Sequence, residues 1–181
     1  MKNKGNPPKP YKFTYFLKDT PLGILGFHFT AKGLAALTFA GVDAVATATS
    51  PTPDVAAWME MINKGFADYF RGLPTDFSSL PLDPQGTPFQ LRVWQELRKI
   101  PRGETISYQE LAARAGNPQA CRAVGQANGA NPIPLIIPCH RVIAADGSLG
   151  GYSSGLDRKR WLLEHEGIEI CRKSRGQKLS A

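Results

Sequence analysis

The chain has 181 residues, of which 42% are hydrophobic and 20% charged, a composition typical of one or two soluble globular domains. It contains no run of about 18 apolar residues that would span a membrane, and no apolar signal segment follows the basic first residues. The three cysteines form no CxxC pair. Because the cysteines are odd in number and form no such pair, we expect free thiols and no metal site. Because no signal segment is present, we expect a prokaryotic cytoplasmic location.

Positive charge is concentrated in the second half of the chain. Residues 1–85 carry 8 Lys/Arg and 7 Asp/Glu, a balance of +1, whereas residues 86–181 carry 14 and 8, a balance of +6. A basic half is typical of proteins that bind nucleic acid. The alternative is a soluble protein with a basic tail, because four of these charges fall in residues 171–181.

The first half predicts a small antiparallel sheet. Residues 1–10 are interpreted as a disordered lead-in. Alternation of apolar and polar residues then predicts strands over residues 11–18, 22–30 and 34–40. Turn residues separate these segments, so we expect a three-stranded meander.

A helix is predicted to complete an N-terminal α+β domain over residues 1–84. Thr52 is a good N-cap, and Pro53 suits the first helical position. Apolar residues then recur on one helical face until Gly72, which is more typical of a core than of a ligand site. Prolines and glycines in residues 80–88 mark the boundary with the next domain.

The second domain, over residues 85–170, is predicted to be mostly helical. Thr87 and Pro88 repeat the pattern of a cap followed by a proline, and an apolar stripe follows them. Ser107 and Glu110 have the spacing of a capping box at the start of a further helix.

A third helix of this domain is predicted from Asn117-Pro118 to about Gly129. A helix, a glycine-containing turn and a helix form the outline of a helix-turn-helix, which many α-hairpins share. The third helix is rich in glycine and alanine, although each interior glycine costs about 0.5–1 kcal/mol relative to alanine. Small side chains permit close approach to DNA, and they serve tight helix–helix packing equally well.

Residues 131–142 place a cysteine beside a histidine in a proline-rich frame. A free thiol with a pKa near ~8.5 is mostly protonated at neutral pH, and an adjacent base raises the thiolate fraction. His140 follows Cys139 directly, and Glu166 near the end of the last predicted helix supplies a carboxylate that can orient His140. The three residues have the composition of a nucleophile, a base and an orienting group, although a Cys-His pair taken without its context is more often a chance neighbour or core packing.

The string Pro138 to Val142 resembles the active-site motif of the O6-alkylguanine-DNA alkyltransferases, the methylated-DNA–protein-cysteine methyltransferases. The resemblance covers roughly residues 86–170. Further motifs follow in the order and spacing of the family, at Gly103–Tyr108, Gly116–Pro118, Arg122–Gly125, Asn131–Pro132, Gly150–Ser153 and His165–Gly167. It implies an α+β fold in which a small N-terminal antiparallel sheet with a helix precedes a mostly helical domain with a winged-helix-like helix-turn-helix.

The resemblance implies direct-reversal DNA repair without a cofactor, in which a cysteine irreversibly takes an alkyl group from O6 of a guanine flipped out of the duplex. It makes Cys139 the acceptor, His140 a base acting through a water, and Glu166 the residue that holds the tautomer of His140. Asn131 would bridge the turn between the recognition helix and the active-site strand. Tyr108 would donate a proton to the leaving base.

The DNA contacts and the substrate pocket are also assigned by resemblance. Arg122 would fill the place of the flipped base while its helix lies in the minor groove, and Tyr108 would crowd a phosphate. The small residues expected at the DNA are Ala123, Gly125 and Ala127. The residues expected around the extruded base are Pro134, the Val142 carbonyl, Gly150, Tyr152 and the Ser153 backbone N–H.

Three functions are weighed on these grounds. The favoured one is a stoichiometric alkyltransferase that acts on double-stranded DNA containing O6-alkylguanine, as a monomer or by cooperative assembly on DNA. The second is a DNA-binding protein that senses damage or regulates transcription and leaves Cys139 unmodified. The third is a Cys-His hydrolase or acyl transferase that turns over repeatedly. The small-residue helix favours the first two, and Cys139 favours the first, because family members that bind damage without repair carry tryptophan at this position.

Overall fold

The computed structural model describes residues 11–41 and 50–170. The predicted lead-in, the basic tail and Cys171 lie outside the described residues. No helix within the two described ranges is long and apolar enough to cross a membrane. In the same ranges, no cluster of His, Cys, Asp or Glu side chains is arranged to hold a metal ion.

A three-stranded antiparallel sheet forms the N-terminal part of the fold. Strand β1 (Phe13–Thr20) pairs with β2 (Gly23–Phe29), which pairs with β3 (Leu34–Ala40). The predicted meander is confirmed. Alternate residues of β2 are fully buried, at Leu25 and Phe27, as the two-residue period of a half-buried strand requires.

Helix α1 (Pro53–Phe70) packs against this sheet, as the apolar stripe predicts. Its N-cap Thr52 accepts a hydrogen bond from the backbone N–H of Val55 at 3.4 Å. The rings of Phe66 and Phe27 meet edge to face with centroids 5.4 Å apart, and both are fully buried. The stripe is therefore core.

The connection between the two halves is itself bonded to the sheet. The backbone N–H of Leu34 donates to the Pro81 carbonyl at 2.9 Å, and the Asp83 N–H donates to the Leu34 carbonyl at 2.7 Å. Further along β3, the Leu37 N–H donates to the Pro132 carbonyl at 2.8 Å. The N-terminal sheet thus supports the segment that leads to Cys139, and the division at residue 84 stays a prediction.

The second half is mostly helical, which confirms the predicted α+β class. Its elements in chain order are α2 (Pro88–Leu97), β4 (Ile106–Ser107), α3 (Tyr108–Arg114), α4 (Cys121–Gly129), a 3-10 turn (Cys139–Arg141), β5 (Val142–Ile143) and α5 (Leu156–His165). Strands β4 and β5 form a short parallel pair. The caps at Thr87 and Ser107 both form, since each side chain accepts from the backbone N–H three residues later.

Two local predictions are wrong. Helix α4 begins at Cys121 rather than at Pro118, because Asn117 closes a separate turn: its side chain accepts from the Gln119 N–H, and its carbonyl accepts from the Ala120 N–H. Cys139 lies in a 3-10 turn and not in a strand. The prolines that precede it have no N–H to donate to a strand ladder.

Candidate active site

Cys139 is enclosed at the start of the 3-10 turn, with 2% of its surface exposed. Burial raises the pKa of its thiol, while a hydrogen bond from Asn131 and the positive charge of Lys159 act in the opposite direction. The resting form is the protonated thiol. A thiolate therefore forms only when a base takes the proton.

His140, the residue that follows Cys139, is the base that the sequence predicts. Its Nε2 lies 2.9 Å from Glu166 Oε1, and both side chains are fully buried. Because a carboxylate only accepts hydrogen bonds, we infer that Nε2 carries the proton and that Nδ1 is an acceptor. Nδ1 is buried and has no hydrogen-bond partner within the described ranges. Burial lowers the pKa of His140, and the positive charges of Arg141 and Lys159 lower it too; although Glu166 raises it, the net shift is downward, which favours the neutral imidazole.

Glu166 follows α5 directly as its C-cap residue and collects hydrogen bonds from three side chains. Besides His140, Arg141 donates to both carboxylate oxygens, at 2.8 and 3.0 Å, and the Tyr69 hydroxyl donates to Oε1 at 2.8 Å. Burial raises the pKa of Glu166, but hydrogen bonds from His140 and Arg141 lower it well below its usual range. The carboxylate stays ionised in the folded protein.

The proline-rich loop before Cys139 is held by Asn131. Its side-chain amide donates to the Ile137 carbonyl at 2.7 Å, and its side-chain oxygen accepts from the Ile133 N–H at 3.0 Å. Leu135 in this loop has a left-handed φ of 72°, a conformation that costs a non-glycine residue roughly 1–2 kcal/mol. Asn131 thus spans the loop between α4 and the turn that carries the thiol.

Two phenols flank the thiol. The Tyr108 hydroxyl donates to the Gly151 carbonyl at 3.4 Å, and a Cβ at Gly150 would lie only 3.0 Å from the Tyr108 ring. The Tyr152 hydroxyl is buried and interacts with the Cys139 sulfur, without a nitrogen or oxygen partner in the described chain. Burial raises the pKa of both phenols, and the nearby Cys139 raises both further. Each is a protonated donor at neutral pH.

The buried lysine of α5 is a site residue that the sequence analysis missed. Lys159 is fully buried, and its ammonium group donates to the carbonyls of Val142 (2.6 Å), Leu149 and Gly151 (3.4 Å). Burial lowers its pKa to about 8. Lys159 ties the loop over the thiol to β5, and the Val142 carbonyl, expected at the extruded base, is its acceptor. The signal was its spacing from Leu162 and Leu163, which places it on the buried face of α5.

The exposed face of α4 carries some of the residues expected at DNA. Arg122 and Ala123 are exposed, and Gly125 is half-buried. Ala127 is 2% exposed, and its carbonyl accepts from the indole N–H of Trp94 at 2.9 Å. The assignment of Ala127 to the DNA surface is therefore wrong, because it shares the core-facing side of the helix with the buried Val124 and Asn128.

The remaining residues expected in the pocket differ in exposure. Pro134 is buried in the proline-rich loop, whereas Ser153 is exposed in the loop before α5. A helix-turn-helix with an exposed arginine thus adjoins the buried Cys139, since Asn128 of α4 donates to the Cys139 carbonyl at 3.3 Å. The next residue, His140, is hydrogen-bonded to the ionised Glu166. This combination defines an α+β protein in which a helix-turn-helix packs against an enclosed cysteine and a buried histidine–glutamate pair.

Comparisons with known proteins agree with this class. The family model described as 6-O-methylguanine DNA methyltransferase, DNA binding domain, matches residues 88–168. The methylated-DNA–protein-cysteine methyltransferase of Mycobacterium tuberculosis is 47% identical over 148 residues, which cover 82% of this chain and 88% of the relative. The chain belongs to the methylated-DNA–protein-cysteine methyltransferase family.

Other relatives match over a shorter region. The protein of the same name from Salmonella typhimurium is 55% identical over 101 residues, which are 56% of this chain and 59% of the relative. The match therefore spans less than two thirds of that relative. Among solved structures, Mycobacterium tuberculosis OGT in complex with DNA superimposes with a TM-score of 0.70 and 43% identity, covering 84% of this chain and 91% of that one.

Proposed function

We propose that this protein repairs DNA by moving an alkyl group from O6 of guanine to Cys139 in one irreversible step. The observation that carries the proposal is a buried thiol followed directly in the chain by His140, whose fully buried imidazole is hydrogen-bonded to Glu166 at 2.9 Å. The names of its relatives and the DNA complex of the Mycobacterium tuberculosis protein support the same reaction class.

Four side chains of the site carry out the proposed transfer: those of Cys139, His140, Glu166 and Tyr108. The Cys139 proton passes to Nδ1 of His140, directly or through a water, and Glu166 stabilises the resulting imidazolium. The sulfur attacks the alkyl carbon, a C–S bond forms, and the electron pair of the broken C–O bond goes to the guanine. Tyr108 supplies a proton to the leaving base. Because a thiolate is a poor leaving group from the thioether that forms, each chain is expected to react once.

Access to the buried thiol requires the alkylated base to leave the duplex, at a cost of a few kcal/mol. We place α4 in the minor groove, where Ala123 and Gly125 permit close approach and Arg122 fills the vacated position. The extruded base would enter between Tyr108 and the loop of residues 147–155. Gly150 lets this loop pack closely on Tyr108, since a side chain there would meet the Tyr108 ring.

Intact mass spectrometry tests the proposal. The protein is mixed with a duplex oligonucleotide that contains one O6-methylguanine. We expect a gain of one methylene, mapped to the Cys139 peptide and saturating at one per chain. The Cys139→Ala variant should bind the duplex without gaining mass, and Cys121→Ala, a matched cysteine control, should react normally.

Two other outcomes would reject this function. An unchanged mass with tight binding to the lesion would indicate a damage sensor. Repeated turnover through an acyl adduct on Cys139 would indicate a hydrolase or acyl transferase. A duplex with unmodified guanine separates specific from adventitious alkylation.

A further inference from the structure

Tyr69 reaches the candidate active site from the N-terminal half of the chain. It lies near the end of α1, is 5% exposed, and donates its hydroxyl proton to Glu166 Oε1 at 2.8 Å. The same oxygen accepts from His140 Nε2 at 2.9 Å and from Arg141 at 3.0 Å. One carboxylate oxygen therefore joins α1 to the imidazole next to the thiol.

The surroundings of Tyr69 fix its position. Its backbone carbonyl accepts from His165 Nε2 at 2.7 Å, and the guanidinium of Arg102 lies 5.0 Å from the centre of its ring. The ring also packs edge to face on Phe66 in the N-terminal core. Burial and the negative charge of Glu166 raise the pKa of Tyr69, so the phenol remains a donor at any pH at which the protein works.

We propose that Tyr69 is a positioning residue that sets the basicity of His140 by donating a hydrogen bond to Glu166. A donated hydrogen bond withdraws charge from the carboxylate oxygen that faces Nε2, and this weakens the attraction of that oxygen for a protonated imidazole. Removal of the phenol hydroxyl then raises the pKa of His140. The functional meaning of this link rests on the proposed function, in which His140 is the base.

The other charged and titratable groups that face His140 do not obscure the effect of the Tyr69 hydrogen bond on the pKa of His140. Glu166 raises its pKa, while Arg141 on the same turn and Lys159 on α5 lower it. The neighbouring Cys139 is a thiol with a raised pKa. None of these four groups changes its charge near the pH at which a buried histidine titrates, so a displaced midpoint reports on the Tyr69 hydrogen bond.

Nitrogen-15 NMR of histidine in the free protein tests the link without DNA. The chain has three histidines, and the ring nitrogens report tautomer and pKa for each. In Tyr69→Phe we expect the pKa of His140 to rise by about half a unit or more, with Nε2 still protonated. Tyr15→Phe is the matched control, because the Tyr15 hydroxyl donates to Asn63 at 2.8 Å on the N-terminal sheet side. It should leave His140 unchanged.

A second substitution tests the opposite sign and preserves the hydroxyl. Difluorotyrosine at position 69 has a more acidic phenol, donates a stronger hydrogen bond, and should lower the pKa of His140. The proposal would be overturned if the pKa of His140 were unchanged in both proteins, or if it shifted in the same direction in both. If Tyr69→Phe did not fold, the difluorotyrosine protein alone would decide.

The rate of methyl transfer then connects the link to function. In Tyr69→Phe the acid limb of the pH–rate profile should move to higher pH by the shift seen in NMR, whereas a merely structural role would lower the profile without moving it. A shift of His140 in a protein that transfers no methyl group would leave the link standing and refute the proposed function. Methyl transfer by a protein in which the pKa of His140 does not change would refute the link and leave the proposed function standing.

Discussion

Replacing Glu166 by glutamine removes the charge at the centre of the buried cluster while keeping its size. Glutamine offers one acceptor oxygen where the carboxylate offers two, and it turns an N–H group toward donors on Tyr69, His140 and Arg141. Removing one partner of a buried ion pair costs about 3–5 kcal/mol. We expect about 3 kcal/mol, the lower end of that range, because the Arg141 side chain is 12% exposed and keeps its 2.6 Å hydrogen bond to the Ile100 carbonyl.

Urea unfolding at neutral pH measures this loss. Glu110→Gln is the matched control, because it makes the same chemical change in an exposed ion pair. The Glu110 side chain is 48% exposed, and that of its partner Arg114 is 36% exposed. Exposed pairs contribute about 0–1 kcal/mol, so the control should stay within that range. A loss of less than about 1 kcal/mol for Glu166→Gln would refute the view that burial makes this carboxylate essential.

Acid titration of stability supplies the second half of the test. The pKa of Glu166 is lowered in the folded state, so its contribution is fully present above the unfolded value of about 4.3 and is lost as the pH falls toward the folded value. His140, whose pKa burial lowers, adds a separate loss that begins below about 6.5 in both proteins. Between pH 4 and 2 the wild type should therefore lose more stability than Glu166→Gln. Parallel acid curves would contradict the assignment.

Three further outcomes follow from the same geometry. Arg122→Ala should reduce extrusion of the lesion more than overall DNA affinity, which fluorescence of a reporter base at the lesion would show; equal losses would contradict its role. Lys159→Met leaves three carbonyls without their buried donor, so we expect a loss of about 1–3 kcal/mol and faster hydrogen exchange in the loop of residues 147–155; unchanged exchange would count against it. Methylation of Cys139, which is 2% exposed, should overpack its surroundings by about 1–3 kcal/mol, and an unchanged melting curve after reaction would disprove this.

The periodic parts of the fold were predictable because their signals are local. The alternation in β1 to β3 and the stripe along α1 each reflect one face against one core. The start of α4 was not predictable, because Asn117 followed by Pro118 fits a helix cap and an independent turn equally well. The observed bond from the Ala120 N–H to the Asn117 carbonyl separates the two, because it joins residues three apart, whereas an α-helix joins residues four apart.

The candidate site was predictable where a compact motif carries it, as at Cys139 and His140. Tyr69 was missed because its partner Glu166 is 97 residues away, and nothing in an aromatic stripe distinguishes a phenol that packs from one that also donates. Ala127 was misplaced for a related reason. A small side chain suits a DNA surface and a helix interface alike, and only the helical phase it shares with Val124 decides.

Burial of Cys139 and His140 disfavours the ionised form of both side chains, and Glu166 partly offsets this effect at His140. Burial raises the pKa of Cys139 and lowers that of His140, so both shifts disfavour the thiolate–imidazolium pair while the site is at rest. Glu166 opposes them at the far side of the imidazole, and hydrogen bonds from Tyr69 and Arg141 limit how strongly it does so. In the reaction we propose, the pair then forms chiefly when an alkyl carbon is present to consume the thiolate. If each chain reacts only once, as we propose, it has no need to release its product, so the sulfur of Cys139 can lie in the core at no loss of turnover.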